Sequence, residues 1–262
     1  MNIYKRFGIF VKMEEYNKIM EEGGYKILDK VVYKITNNAV KLIDSITTND
    51  MDKSSNAFIT RLGKLIALVD QKIINDDVYV VLEEEYEKDF LDNLNIFIKI
   101  SKSRYEKLNL KVVHVINLDI NGIKIEKEIG YLLLLEDLDS LKDFNEISDE
   151  VYNIIRIEND ISIQGIDYDD NMFLETNMDR AVSYTKGCYV GQEIMARVHN
   201  LGKPAKKLVR ILYDNVPDHV TINGNKFGDI TSKCFSPKYD KYLVFAMMEK
   251  YWEEIDDGKI LR

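Results

Sequence analysis

The helical signature is clearest in TNNAVKLIDSI, residues 36–46, where Ala39, Leu42, Ile43 and Ile46 recur three and four apart. That spacing predicts a helix with one buried face, capped by Thr36 or Asn37 and stopped by the polar turn TTND at 47–50. Upstream, the apolar runs GIFVKM and KVVYKI read as short strands. Downstream, KLIALVDQKI and VYVVLE read as a hairpin turned by NDD at 75–77. Tyr86, Phe90 and Leu94 then form a second helical stripe. IFIKI and KVVHVI suggest two more strands, separated by a short helix around SRYEKL.

Helical grammar returns at 148. Ser148 is placed to cap, Asp149 and Glu150 occupy the first turn where the helix dipole favours anions, and VYNIIRIE follows. After Pro204 the pattern changes to short strands: KLVRILY, HVTI, KFGDITS and YLVFAMME. This predicts a small all-β C-terminal module beyond a linker at NLGKPAK, 200–206. Strands alternating with helices before it suggest α+β layers.

Between the two halves lies SYTKGCYVGQEIMARVHNLGKP, residues 183–204. Ile194, Val198 and Leu201 mark a helix face, with Gly202 and Pro204 at its end. Cys188 falls about one turn before that helix, with Lys186 two residues upstream. A helix N-terminus and a nearby cation both favour thiolate over thiol, so the position suits a reactive cysteine. Gly187 and Gly191 would allow a sharp turn or a close approach. A free cysteine is also often a small buried hydrophobe, and that reading stays open. The sequence supplies no base for the thiol: His199 is eleven residues on, and His114 and His219 fall in predicted strands. Cys234 has no supporting chemistry around it.

Composition narrows the classes. Thirty-six Lys and Arg against 45 Asp and Glu leave a net charge of −9, which disfavours a nucleic-acid or polybasic membrane surface. Two cysteines in 262 residues make no disulfide framework, and no zinc spacing, P-loop or dinucleotide fingerprint is present. The apolar runs are too short to span a bilayer, and the opening residues lack a signal-peptide core, so the expectation is a cytoplasmic protein.

KGCYVGQE, residues 186–193, resembles the signature of the YgfZ family of folate-binding proteins, K-G-C-[FY]-x-G-Q-E, at every fixed position. AVKLIDSITTND, LGKLIALVDQKI, IRIENDISIQGID, FLETNMDRAVSYTKGC and FGDITSKCFSP are similar to further family segments along most of the chain. The resemblance implies an α+β aminomethyltransferase-like folate-binding fold, that of the glycine cleavage T-protein. Two α+β parts would enclose a central channel, with a C-terminal antiparallel β-barrel beside them. Residues 1–50 and 118–200 would form the first part, 51–117 a small ferredoxin-like part, and 204–262 the barrel.

The implied function is binding of tetrahydrofolate, or another reduced folate, in support of iron–sulfur cluster assembly or repair in client enzymes, tRNA-modifying enzymes among them. The expected partners are folate and iron–sulfur client or assembly proteins, without direct nucleic-acid or membrane contact and without a resident metal. Cys188 and Lys186 would carry the chemistry, with Gly187, Tyr189, Gly191, Gln192 and Glu193 completing the motif. Folate would lie near Asn49, Asp50, Tyr152, Arg156, Glu158 and Glu175. A surface ion pair between Arg156 and Glu158 is the competing account of those two residues. Aminomethyltransferases carry an Asp pair where this chain aligns Ala67 and Leu68, and they lack the cysteine. An aminomethyltransferase-like one-carbon transferase is therefore the second reading, and Asp70 or Asp50 at the channel would favour it. A scaffold with a buried Cys188 is the third.

Overall fold

The computed structural model describes residues 3–201, 204–249 and 255–261. It opens with helix α1 (Ile3–Glu22), where the GIFVKM run predicts a strand. Tyr16, Ile19 and Met20, spaced as one helical face, pack into the main core, and this tertiary contact settles the ambiguity of a short apolar run.

Three antiparallel sheets follow. The first has the order β1-β7-β9-β8, from β1 (Gly24–Leu28), β7 (Lys111–Ile116), β8 (Ile123–Glu126) and β9 (Tyr131–Leu135). The second has the order β3-β4-β5-β2-β6, from β2 (Lys30–Thr36), β3 (Ser55–Ile59), β4 (Leu65–Ile74), β5 (Asp77–Glu83) and β6 (Arg104–Leu108). Strand alternation assigns the faces. Val31, Tyr33 and Ile35 join one core with α2 (Ala39–Ile46) and α3 (Glu87–Ser101). Val32 and Val81 point the other way, against Val112, Leu132 and Leu134 of the first sheet. Sheet membership cuts across the segment boundaries drawn from sequence, since β2 joins the second sheet and β7 the first.

The α2 stripe of Ala39, Leu42, Ile43 and Ile46 is buried as read, each large aliphatic contributing roughly 1.5–3 kcal/mol. Its N-cap is Asn38, in a left-handed conformation without a side-chain cap bond, rather than Thr36 or Asn37. IFIKI and SRYEKL exchange the states expected of them. Phe97 and Ile98 extend the Phe90–Leu94 stripe, so α3 runs through IFIKI to Ser101. Polar SRYEKL becomes edge strand β6 because it completes the β2 ladder, Ile35 opposite Tyr105.

Helix α4 (Asp149–Glu158) starts at Ser148, whose hydroxyl accepts from the Val151 N–H. Helix α5 (Gln192–Leu201) buries Met195 more fully than the Ile194–Val198 stripe, while Gly202 and the Leu201 side chain lie outside the described residues. The C-terminal module is a five-stranded sheet, β11-β12-β13-β10-β14, from β10 (Lys207–Tyr213), β11 (Val220–Ile222), β12 (Asn225–Ser236), β13 (Lys241–Met248) and β14 (Gly258–Leu261). It is the coarser form of the expected barrel. No ladder joins the outer strands β11 and β14 among the described residues, where the Asp256 N–H meets the Thr221 carbonyl at 3.0 Å, so the sheet is a half-barrel there.

A buried polar seam docks this sheet on α4. The Arg156 guanidinium donates to Asp167 at 2.7 Å and to the Ser232 hydroxyl at 2.7 Å. Glu158 accepts from Tyr16 Oη at 2.6 Å and from the Ser236 hydroxyl. Arg156 and Glu158 are therefore both buried and paired elsewhere, not with each other on a surface.

Candidate functional site

Residues 183–191 form a loop held from inside. The Lys186 side chain, 2% exposed, sends its ammonium to the carbonyls of Asp44 (2.8 Å), Thr47 (3.0 Å) and Asn49 (2.6 Å), with the Asp44 carboxylate at 3.0 Å. The cation thus sits at the C-terminal end of α2, where unpaired carbonyls and the helix dipole favour it. Thr47, Thr48 and Asn49, expected as a polar stop, are buried, and the Thr47 and Asn49 carbonyls receive it. Gln192 Nε2 donates to the Lys186 carbonyl at 3.4 Å, Tyr189 packs in the main core, and Glu193 is exposed.

Gly191 has φ of +84°, and a Cβ there would stand 2.6 Å from the Thr60 carbonyl, so only glycine fits. Gly187 differs: its φ lies outside the left-handed region and nothing lies within 4 Å of a Cβ built there. Cys188 follows it, exposed, just ahead of the first turn of α5. The thiol thus meets solvent on an open side while its neighbours are fixed. His199, exposed, stacks on Tyr184 with ring centroids 3.9 Å apart, tying α5 back to the loop.

The central cavity, of about 390 Å³, is a separate place, and none of residues 186–193 lines it. Its volume is in the range of small-molecule sites. Of the six expected folate residues, only Tyr152 is on its wall. Arg156 and Glu158 serve the seam. Glu175 accepts from Asn171 Nδ2 at 3.1 Å and the Lys206 N–H at 3.2 Å. Asp50 stays half-buried, its N–H on Asn49 Oδ1. Asn49 is one step removed: its amide donates to the Arg180 carbonyl at 2.8 Å, and Arg180 lines the cavity.

Residues that sequence reading did not single out do most of the lining, notably Lys30, Glu83, His114, Lys127, Gln164 and Arg180. Leu68 faces the cavity while its neighbour Ala67 turns into the α2–α3 core, as strand alternation requires. Asp70 is on the wall as well, with Lys127 Nζ at 2.7 Å and Lys30 Nζ at 3.6 Å. Burial alone would raise its pKa, but the two ammonium groups outweigh it and hold the carboxyl below the ordinary carboxylate value. Lys30, also 2.8 Å from Glu83, has its pKa raised: burial disfavours its charge, and Glu83 and Asp70 more than compensate.

His114 is fully buried, its Nε2 2.7 Å from the Ile129 carbonyl and its Nδ1 3.0 Å from Tyr152 Oη. Burial pushes its pKa down to about 4, with Lys127 and Lys30 adding to the effect against the Ile129 carbonyl and Asp70. The signal in the sequence was a single polar residue inside an apolar strand, KVVHVI.

No group of three or more His, Cys, Asp or Glu among the described residues is placed to hold a metal ion. No helix among them is long and apolar enough to cross a membrane.

The architecture is that of an aminomethyltransferase T-protein. The glycine cleavage system aminomethyltransferase T from Bartonella henselae superposes with a TM-score of 0.77 at 12% identity, covering 91% of this chain and 81% of that one. The sequence likeness is of another kind. Over 67 residues, 24% of this chain, it is 42% identical to the iron–sulfur cluster assembly factor IBA57 homolog, mitochondrial, of Aspergillus clavatus. The protein of the same name from Mycosarcoma maydis is 33% identical over 88 residues, 32% of this chain. These stretches span 15% and 22% of the two relatives' own lengths. No protein-family model matches. The resemblance to the YgfZ and aminomethyltransferase-like family, drawn above from segments along most of the chain, is thus met by a T-protein neighbour in fold and by assembly-factor homologues in sequence.

Proposed function

We propose that this protein binds tetrahydrofolate in the central cavity and supports assembly or repair of iron–sulfur clusters in client enzymes, tRNA-modifying ones among them, with Cys188 as the working thiol. The observation that carries the reading is Cys188 itself, exposed beside an open glycine on a loop anchored by Lys186. The cluster is cargo in this scheme, and the thiol meets it or its carrier at the surface. The names of the two fungal relatives support the assembly role, and the T-protein fold supports the folate.

The cavity's donor set fits a folate. Lys26, Lys30, Lys127 and Arg180 can meet the glutamate carboxylates, Asp70 and Glu83 can accept ring N–H groups, and Leu28, Leu68 and Leu132 offer apolar walls. Bound there, a reduced folate supplies a carrier for one-carbon units. The chain's own residues fix its orientation and exclude water.

The test is anaerobic calorimetric titration of the reduced protein with tetrahydrofolate, in wild type and Cys188→Ser, alongside recovery of a cluster-depleted [4Fe–4S] enzyme. The expected result is saturable binding by both proteins and cluster recovery assisted by the wild type alone. Absence of binding by either removes the folate from the reading; equal recovery with Cys188→Ser removes the thiol.

A second reading, an aminomethyltransferase-like one-carbon transfer, draws on one observation, the Asp70 carboxylate on the cavity wall. Its lysine partners and lowered pKa suit a fixed anion better than a proton acceptor. Folate-dependent transfer of an aminomethyl group that is lost in Asp70→Asn would establish this second reading.

A further inference from the structure

The His114–Tyr152 pair fixes the hydrogen-bond polarity of one wall of the cavity. The Ile129 carbonyl, 2.7 Å from His114 Nε2, can only accept, so Nε2 carries the ring hydrogen. In a neutral imidazole Nδ1 is then a bare acceptor, and the Tyr152 hydroxyl, 3.0 Å away, must donate to it. Burial beside Lys30 and Lys127 keeps the ring neutral. With its one hydrogen committed, the Tyr152 oxygen has only lone pairs left, and no residue among those described donates to it. Gln164, also on the wall, accepts from the Leu68 N–H through Oε1 (2.9 Å) and donates through Nε2 to the Ile66 carbonyl (3.2 Å), and forms no hydrogen bond with Tyr152.

We infer that His114, acting through Tyr152, makes this wall an obligate acceptor and so selects reduced over fully oxidised pterin rings; the inference rests on the folate reading above. In a tetrahydropterin the two nitrogens of the reduced ring carry hydrogen. In the oxidised ring the same nitrogens are bare lone pairs. An N–H facing Tyr152 completes a hydrogen bond, whereas a bare nitrogen sets two acceptors against each other and leaves both unpaired out of water. Tyr152 is the contact and His114 the positioning residue that dictates which way the hydroxyl points.

The experiment is anaerobic calorimetry of the full chain with tetrahydrofolate and, separately, folic acid, for wild type, Tyr152→Phe and His114→Leu. The quantity read is the ratio of the two dissociation constants. Wild type is expected to favour tetrahydrofolate by about tenfold or more, the scale of one mismatched buried hydrogen bond. Tyr152→Phe should shrink that ratio chiefly by weakening tetrahydrofolate. His114→Leu should shrink it by strengthening folic acid, because the freed hydroxyl can turn and donate. A merely structural role would weaken both ligands together and leave the ratio unchanged. An unchanged ratio in Tyr152→Phe, or a wild type that binds both forms equally, overturns the inference while the folate reading stands. If wild type binds neither, the folate reading falls and this inference with it. Should His114→Leu not fold, the Tyr152→Phe ratio decides alone.

Discussion

The Lys186 ammonium lies 2.6 Å from the carbonyl oxygen of Asn49, and the Asn49 side chain in turn donates to the Arg180 carbonyl at 2.8 Å. The thiol-bearing loop and the cavity wall thereby share one buried asparagine. Two places that no side chain of the motif bridges directly are joined through main chain, which ties the position of Cys188 to the part of the fold that surrounds the cavity.

Lys186→Met should therefore act on both stability and the thiol. Removing a nearly inaccessible cation from three carbonyls is expected to cost about 2–3 kcal/mol, read from urea denaturation. The loop should also become more susceptible to limited proteolysis near Cys188. Unchanged stability would mean that the anchor contributes nothing.

The two glycines of the motif should behave oppositely. Gly191→Ala places a Cβ against the Thr60 carbonyl at positive φ and is expected to cost on the order of 2–4 kcal/mol. Gly187→Ala meets open space and should stay within about 0.5 kcal/mol of wild type. Thermal unfolding of the pair side by side checks this, and similar losses in both would contradict the geometry.

Thiol counting should separate the cysteines. Cys188 is exposed; Cys234 is buried, its thiol pushed up to about 12 by desolvation and then by Glu158. A maleimide at neutral pH should add once to the native protein, at Cys188, and twice after denaturation. Intact-mass and peptide spectrometry reads the result. Two additions to the native state would show the C-terminal sheet opening far more readily than its seam implies.

Acid should weaken the fold before the carboxylates titrate. His114 has a folded pKa of about 4 against an unfolded value near 6.5, so the unfolded chain binds the extra proton between those limits. Its contribution is fully present above about pH 6.5 and is lost as pH falls toward 4, a total of roughly 3 kcal/mol. Asp70, with its folded pKa lowered, gives up its share only below the ordinary carboxylate range. Denaturation midpoints between pH 7 and 4 should fall in wild type and flatten in His114→Leu; parallel curves would reassign the effect.

Much of the local structure was legible because it is local. The α2 stripe, the hairpin at Asn75–Asp76, the Ser148 cap and the strands after Pro204 all follow from spacing or turn chemistry. The exchanged states of IFIKI and SRYEKL were not legible, because an apolar pentapeptide fits either period and a polar edge strand is recruited by its neighbour. Within the site, the motif announced Cys188 and Lys186, yet the ammonium's carbonyl ligands come from residues 137 to 142 positions earlier in the chain. His114, Lys127 and Arg180 converge on the cavity from three distant segments, and only folding brings them together. Arg156 and Glu158, charges that the sequence offered to a ligand, hold two parts of the protein together.

That seam has a consequence for alignment. The β12–β13 ladder shifts register between Ile230 and Ser232, so Thr231 is the extra residue. In a regular strand consecutive side chains face opposite ways, yet here the Thr231 and Ser232 hydroxyls both reach Asp167 Oδ1, at 3.2 and 2.5 Å. The bulge works like the notch of a key. It gives the C-terminal sheet one seating against α4, because sliding the sheet by a single residue would put Ile230 or Lys233 in place of one of the two hydroxyls at Asp167.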